Sequence, residues 1–219
     1  AGWSDEFKIS FQNEYRPYLE RYPRLADIPV VGRHTPDSFS AEKALALRPD
    51  LVVLTLSFSG LKPGQSPRDS QLIQRFEAAG IPVLVIDFFL QPMHNTIPSL
   101  EALGAALGRT EQTRAFIDFY SSHMQRVESG LAGLADNDRP PVFIHAHAGS
   151  TDCCNSPGTG TFNDMVIYAG GHNIASDVLK TPTGRLNFEY INARNPAVYV
   201  ATGTGSGKRA SNGLHIGEG

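Results

Sequence analysis

What this 219-residue sequence lacks excludes several classes of protein. Its longest apolar runs, such as 81–90, are far shorter than the roughly 20 residues that span a bilayer. A net charge of −3 provides no basic excess, which argues against a dedicated nucleic-acid binder. Two cysteines are too few for a disulfide scaffold. The remaining composition, 41% hydrophobic and 19% charged, is typical of one large globular domain or two modest lobes.

Short apolar segments rich in valine and isoleucine predict buried parallel strands, because proline, glycine or aspartate bounds them. A helix capped by Ser40 precedes them, and between them lie a helix that stops at Gly80 and a long helical segment, 99–134, with a break near Gly108. Strands alternating with helices predict an α/β fold. The predicted strands are 51–56, 82–89, 141–145 and 197–201.

An internal repeat relates segment 38–54 to segment 185–201. Each copy predicts a capped short helix, a proline-marked turn, a buried strand and a loop. Chance similarity between two common helix–proline–strand units is the alternative. Because the copies flank segment 99–134, two similar α/β lobes joined by a helix explain them most simply. The matched pairs, each 147 residues apart, are Glu42 with Glu189, Pro49 with Pro196, and Gly60 with Gly207.

Five sequence blocks resemble substrate-binding proteins of ABC importers, of the helical-backbone class that delivers ferric siderophores, haem and cobalamin. The resemblance covers 29–205 and implies two Rossmann-like lobes of parallel sheets, 1–98 and 135–219, joined by a linking helix at 99–134, with a ligand cleft between them. It also implies that a first strand and helix and the closing helices of such proteins are missing here. The blocks are SAEKALALRPDLVVL, AAGIPVLVIDF, SLEALGAALGRTEQTRAFIDFY, GTFNDMVIYAGGHNIASD and NFEYINARNPAVYVATG.

Four loops, 57–68, 88–95, 145–160 and 202–213, follow predicted strands, where open α/β sheets bind their ligands. Lys62 and Arg68 are suited to an anionic chelate or a haem propionate, although they are equally typical of a solvated loop. Phe88 or Phe89 can stack on a flat ligand, or one of them belongs to the core. The candidate ligand-binding residues are Phe58, Lys62, Arg68, Phe88, Phe89, His94, His145, His147, Cys153, Cys154 and Thr204.

The segment 145–160 has the highest density of histidine, cysteine and aspartate side chains that can bind a metal ion or react. Strand alternation predicts that His145 and His147 lie on one side of a strand end, where they and a cysteine could ligate a metal ion. A hydrogen-bonded polar loop and contact with an organic chelate are the alternatives. Adjacent Cys153 and Cys154 could form a vicinal disulfide that lines the ligand cleft, or remain free thiols.

The resemblance also assigns partners. In this class one acidic residue on each lobe docks to arginines of the membrane permease, and Glu42 and Glu189 occupy matched positions. First-turn glutamates favoured by the helix dipole are the alternative. The resemblance implies a monomeric periplasmic protein, soluble or lipid-anchored, without enzymatic activity, intrinsic cofactor or nucleic-acid partner.

We expect the ligand to be Fe³⁺ as a chelate, a ferric siderophore first, because the basic loop favours an anion. Haem, a corrinoid or a bare metal ion are alternatives, and haem is disfavoured because no tyrosine lies in the four loops. A metal-dependent hydrolase using His145, His147, Asp152 and Cys153 is a further alternative. No G-x-S-x-G or H-E-x-x-H motif supports that enzyme.

Overall fold

The computed structural model describes residues 1–33, 38–62, 64–148 and 153–202, which form an α/β structure as predicted. Within this described part, no helix has the length and apolar character needed to cross a membrane. Its strands are β1 Trp3–Ser4, β2 Val30–Gly32, β3 Val52–Thr55, β4 Val83–Ile86, β5 Pro141–His145, β6 Asn155–Ser156, β7 His172–Asn173, β8 Gly184–Arg185 and β9 Val198–Ala201. Its α-helices are α1 Glu6–Ser10, α2 Gln12–Arg21, α3 Ala41–Ala46, α4 Gln71–Ala78, α5 Pro92–Ala106, α6 Thr110–Gly130, α7 Thr161–Tyr168 and α8 Phe188–Arg194.

The chain divides into two compact units. The segment predicted as one linking helix, 99–134, contains the second half of α5 and all of α6, and α5 begins earlier than predicted, at Pro92. Gly108 lies between them with a φ of +63°, so the predicted break is confirmed. The lobe boundaries drawn from the sequence stay predictions. Unit 1 comprises Ala1–Leu90 and Asn95–Thr110, and unit 2 comprises Gln91–His94 and Glu111–Gly219.

Unit 1 contains two separate parallel ladders. β1 pairs with β2, and β3 pairs with β4 in a register that runs from Val52 opposite Val83 to Thr55 opposite Ile86. Helix α4 begins at a serine cap, where the Ser70 hydroxyl accepts a hydrogen bond from the Ile73 amide at 3.2 Å. The buried core of this unit comprises Val31, Ala41, Ala44, Val52, Leu54, Leu61, Ile73, Phe76 and Ile81.

Unit 2 is built on a parallel sheet of strand order β7–β5–β9. His145 is the last residue of β5 and lies opposite Ala201, the last residue of β9, so both strands end at the same edge. The short strands β6 and β8 form an antiparallel pair. The core buried in this unit comprises Phe143, Cys154, Ile174, Ala175, Leu186 and Ile191.

The two copies of the sequence repeat fold alike. Ser40 caps α3 and Asn187 caps α8, each by accepting a hydrogen bond from the amide three residues later. After each helix the chain enters the left-handed region at matched residues, Arg48 with φ 43° and Asn195 with φ 44°. The proline and a parallel strand follow in both copies. Sequence similarity and backbone conformation therefore support the repeat independently.

Candidate functional site

Asp87 organises the loop that follows β4. Its side chain is buried, and its Oδ1 accepts hydrogen bonds from the amides of Phe89 at 3.0 Å and Leu90 at 2.7 Å. Its Oδ2 accepts a hydrogen bond from Asn95 Nδ2 at 2.9 Å, and the Ser99 hydroxyl accepts one from the Asp87 amide. The predicted strand 82–89 therefore ends early, at Ile86, because this carboxylate turns the chain.

The Asp87 loop presents two aromatic side chains to solvent. Phe88 is 39% exposed and Phe89 is 58% exposed, although apolar rings usually lose most of their surface on folding. Since the loop backbone is held by Asp87, these rings occupy a defined place at the carboxyl end of β4. His94, in the first turn of α5, is also exposed.

The loop after β3 has internal structure. The Ser70 hydroxyl donates to the Ser59 carbonyl at 2.5 Å, and the Ser59 hydroxyl donates to the Leu56 carbonyl at 2.7 Å. A capping box closes a short 3-10 turn, where the Ser66 amide donates to Asp69 Oδ2 at 2.9 Å. These contacts fix where the loop leaves β3 and where it enters α4.

Two cations lie on this structured loop. Lys62 and Arg68 are exposed, and within the described ranges neither forms an ion pair with a carboxylate. Phe58 is half-buried in the short 3-10 turn after β3. Because Thr55 lies opposite Ile86, the loops that carry the cations and the exposed phenylalanines start side by side in unit 1.

His145 is buried at the end of β5, with 8% of its surface exposed. Its Nδ1 shares a 2.5 Å hydrogen bond with the Tyr199 hydroxyl, and burial raises the pKa of that phenol above its ordinary value. Among the described residues, the Nε2 of His145 has no hydrogen-bond partner. Burying an imidazole nitrogen without a hydrogen-bond partner costs free energy. The Nε2 atom of His145 is therefore suited to form a hydrogen bond with a ligand.

The predicted side-by-side arrangement of His145 and His147 is wrong. β5 ends at His145, and His147 lies in the following turn with a φ of 54°, which breaks the strand alternation. The His147 amide donates to the Thr202 hydroxyl at 3.1 Å, and its side chain is exposed. The turn is held by hydrogen bonds between loop backbones, and sequence periodicity does not report such contacts.

Cys153 and Cys154 form a vicinal disulfide, which answers the question that the sequence left open. Cys154 is 1% exposed and belongs to the core of unit 2, whereas Cys153 is exposed. Arg185 Nη2 donates to the Cys153 carbonyl at 2.9 Å, and the Leu186 amide donates to the Cys154 carbonyl at 2.9 Å. Only Cys153 therefore has the exposure that contact with a ligand requires.

The metal role predicted for His145 and His147 stays a prediction. The disulfide consumes both cysteine sulfurs, so neither is a free thiolate ligand. No group of three histidine, cysteine, aspartate or glutamate side chains that could hold a metal ion occurs in the part of the chain that the structure describes. Thr204 and Asp152 lie outside the described residues.

Glu42 and Glu189 occupy equivalent places in the two units. Each is the second residue of its helix, α3 or α8, and each is exposed. The capping hydrogen bonds of Ser40 and Asn187 fix where these helices begin, and therefore where the carboxylates stand. Their docking role stays a prediction.

Sequence reasoning missed four residues that shape these loops. Asp87 directly follows β4 and Tyr199 lies within β9, and a polar side chain beside apolar residues was a usable signal at both positions. Asn173 gave no such signal, although its Nδ2 donates to the Pro157 carbonyl at 2.9 Å and holds the end of segment 145–160. Arg185 contacts Cys153 across 32 residues of chain, a contact that only the fold creates.

Comparison with known proteins identifies the family. The periplasmic binding protein family model matches residues 12–214, and the chain belongs to that family. No curated protein sequence matches this chain.

Solved structures show the same fold. A TroA-like periplasmic binding protein, FepB from Veillonella parvula, superposes with a TM-score of 0.77 at 24% identity, covering 92% of this chain and 56% of its own. A periplasmic heme-binding protein from Pseudomonas aeruginosa gives 0.54 at 22% identity, covering 83% and 60%. MolA of Haemophilus influenzae, bound to molybdate, gives 0.59 at 17% identity, covering 85% and 57%. The chain thus spans little more than half the length of these structures.

Proposed function

We propose that this chain is the ligand-binding part of an extracytoplasmic protein that captures an iron complex and delivers it to an ABC permease. An anionic ferric siderophore is the first candidate ligand. The observation that carries the proposal is the arrangement in unit 1, where the Asp87 loop, with exposed Phe88 and Phe89, starts beside the loop that carries Lys62 and Arg68.

The chemistry of these loops fits a rigid anionic chelate. Aromatic faces bind the flat organic groups of such a ligand, and lysine and arginine neutralise its charge. Unit 2, taken by itself, carries a buried imidazole nitrogen at His145 and an exposed sulfur at Cys153, both of which can contact an organic ligand. The binding is reversible and requires no covalent step.

A binding panel tests the ligand class. Native mass spectrometry and calorimetry are performed with a ferric tris-catechol chelate, ferric citrate, haemin, cyanocobalamin, molybdate and Fe³⁺ alone. We expect a mass increase with an anionic ferric chelate and no binding of Fe³⁺ by itself. Two of the similar proteins bind heme or molybdate, and binding of haemin alone or of molybdate alone would replace the siderophore as the ligand.

A charge-matched pair of variants tests the basic loop. Lys62→Gln with Arg68→Gln should weaken binding of the ferric chelate about tenfold or more, since each charged contact contributes about 1 kcal/mol. Lys43→Gln with Arg75→Gln removes the same charge from exposed positions on α3 and α4 and should leave affinity unchanged. Equal weakening by both pairs would show a general electrostatic effect and remove the loop from the site.

The permease partner is proposed from the matched carboxylates. Glu42→Lys with Glu189→Lys should abolish uptake of the ferric chelate by cells and leave its affinity in solution unchanged, because charge pairs of this kind steer association between proteins. Unchanged uptake would exclude these residues from docking.

A further inference from the structure

The vicinal disulfide of unit 2 has one exposed half and one buried half. Cys153 is exposed to solvent, whereas Cys154 is 1% exposed and belongs to the buried core of this unit. A disulfide stabilises a protein mainly by closing a loop of the unfolded chain, and a bond between neighbouring residues closes almost none. As a cross-link this bond therefore contributes little, and what it adds to the protein is the chemistry of its exposed half.

The backbone of the pair is held independently of the bond between the sulfurs. Arg185 Nη2 donates to the Cys153 carbonyl and the Leu186 amide donates to the Cys154 carbonyl, each at 2.9 Å. The next residue along the chain, Asn155, pairs with Arg185 in the ladder of β6 and β8. Because none of these contacts involves a sulfur, opening the disulfide should leave Cys154 in the core and Cys153 at the surface.

Arg185 places a positive charge beside the exposed half of the disulfide. Its side chain is anchored to the Cys153 carbonyl, the residue is exposed, and within the described ranges it forms no ion pair with a carboxylate. A cation next to a cysteine attracts anions and favours the thiolate over the thiol. The exposed half is therefore suited to an incoming thiolate, above all to one that carries a further negative charge.

We propose that the Cys153–Cys154 disulfide is a site of thiol–disulfide exchange with small anionic thiols. The thiolate of the small molecule attacks the sulfur of Cys153 and forms a new S–S bond with it, while the bond between the two cysteines breaks. The displaced sulfur of Cys154 takes up one proton from the solvent and becomes a thiol. One disulfide replaces another, so the step requires no oxidant and no reductant besides the small thiol.

Burial decides which sulfur reacts and what the product is. Only Cys153 is accessible, so the incoming thiolate becomes attached there. A thiolate is poorly solvated in an apolar core, so Cys154 stays a neutral thiol, and a neutral thiol is a weak nucleophile. Cys154 therefore re-forms the original disulfide slowly, and the small thiol remains on Cys153. Reversible ligand capture does not require this covalent response, and the response does not depend on which ligand the protein binds.

Two small thiols of opposite charge test the proposal on the unaltered chain. The folded protein is mixed at low ionic strength with mercaptoethanesulfonate, which is anionic, or with cysteamine, which is cationic. Each rate is divided by the rate of the same thiol with a small uncharged disulfide, so that intrinsic nucleophilicity cancels. Acid quenching and mass spectrometry locate the adduct. We expect one adduct, on Cys153, formed about tenfold faster with the anionic thiol, and a ratio that falls toward one in high salt.

A matched pair of arginine variants tests the source of that preference. Arg185→Gln should remove the faster reaction of the anionic thiol, because the charge beside Cys153 is lost. Arg126→Gln removes the same charge from an exposed position on α6 of the same unit and should keep the preference. Circular dichroism confirms that both variants are folded before the rates are compared.

Single cysteine variants test the difference between the two sulfurs. Cys154→Ala leaves Cys153 as a free thiol, and Cys153→Ala leaves Cys154. With dithiobis(nitrobenzoate), an anionic aromatic disulfide, we expect Cys153 to react at least about a hundredfold faster than Cys154 in the folded proteins. In urea the two rates should become similar, since burial no longer separates the thiols.

Any of three results would overturn the proposal. The first is an adduct on Cys154, or no adduct on the folded protein under conditions in which the urea-unfolded chain reacts. The second is equal normalised rates for the two thiols, or a preference that Arg126→Gln removes as completely as Arg185→Gln does. The third is equal reactivity of the two single thiols in the folded variants.

Discussion

Asp87 fixes the backbone of the loop that follows β4 by hydrogen bonds from that loop's amides. A buried carboxylate without partners would be costly, but this one accepts hydrogen bonds from two amides and the Asn95 side chain. The result is a turn whose apolar residues point outward instead of into the core. A ligand that meets Phe88 and Phe89 therefore does not have to order the loop first.

Removing this carboxylate should cost both stability and binding. We expect Asp87→Ala to lower the free energy of unfolding by about 2 to 3 kcal/mol, because the amides of Phe89 and Leu90 lose their acceptor. Urea denaturation measures the loss, and calorimetry measures the accompanying fall in affinity for the ferric chelate. Asp87→Asn retains one acceptor oxygen and should lose clearly less. Equal losses in the two variants would contradict this role of the acceptor.

His145 illustrates what the sequence could and could not predict at this scale. Its place at the end of β5 was predicted from the apolar segment, and it is confirmed. Its burial and its hydrogen bond to Tyr199 depend on a strand 54 residues later in the chain. His147 shows the limit of strand alternation, which fails where a turn begins.

At the scale of elements, the repeat is the clearest link between sequence and structure. Serine and asparagine caps start α3 and α8, and left-handed residues end both helices before a proline. These are local interactions, so the sequence predicted the helices of the repeat closely. The end of β4 and the exposure of Phe88 were harder to predict from the sequence. Both depend on the Asp87 side chain, which accepts a hydrogen bond from Asn95 in α5.

Glycine at the two left-handed positions should stabilise the chain. A side chain at a φ near +44° is strained, and glycine is not. We expect Arg48→Gly to raise the free energy of unfolding by about 0.5 to 1 kcal/mol, and Asn195→Gly by less, since asparagine tolerates this conformation better. Thermal unfolding followed by circular dichroism measures both. A decrease in stability for Arg48→Gly would show that its side chain contributes more than the strain costs.

At the scale of the whole molecule, ligand binding should raise the stability of the folded protein. When its free concentration is one hundred times its Kd, a ligand that binds only the folded state adds about 2.7 kcal/mol to the free energy of unfolding. For a chain of this size that corresponds to a rise in Tm of about 5 to 10 °C. We expect this rise with the ferric chelate, measured by circular dichroism, and not with the same chelator free of iron. A rise of equal size with the iron-free chelator would mean that the protein does not recognise the iron complex.

The sequence by itself determined the α/β class, the places of β3, β4, β5 and β9, the caps of the two repeat helices and the repeat, because these follow from local periodicity and from contacts a few residues apart. It also predicted the family, which the match over residues 12–214 confirms. Only the tertiary structure decided that Cys154 is buried while Cys153 is exposed, that Asp87 holds the aromatic loop, and that His145 forms a hydrogen bond with Tyr199. Each of these depends on strands and helices far apart in the chain packing against one another, and no local pattern encodes that packing.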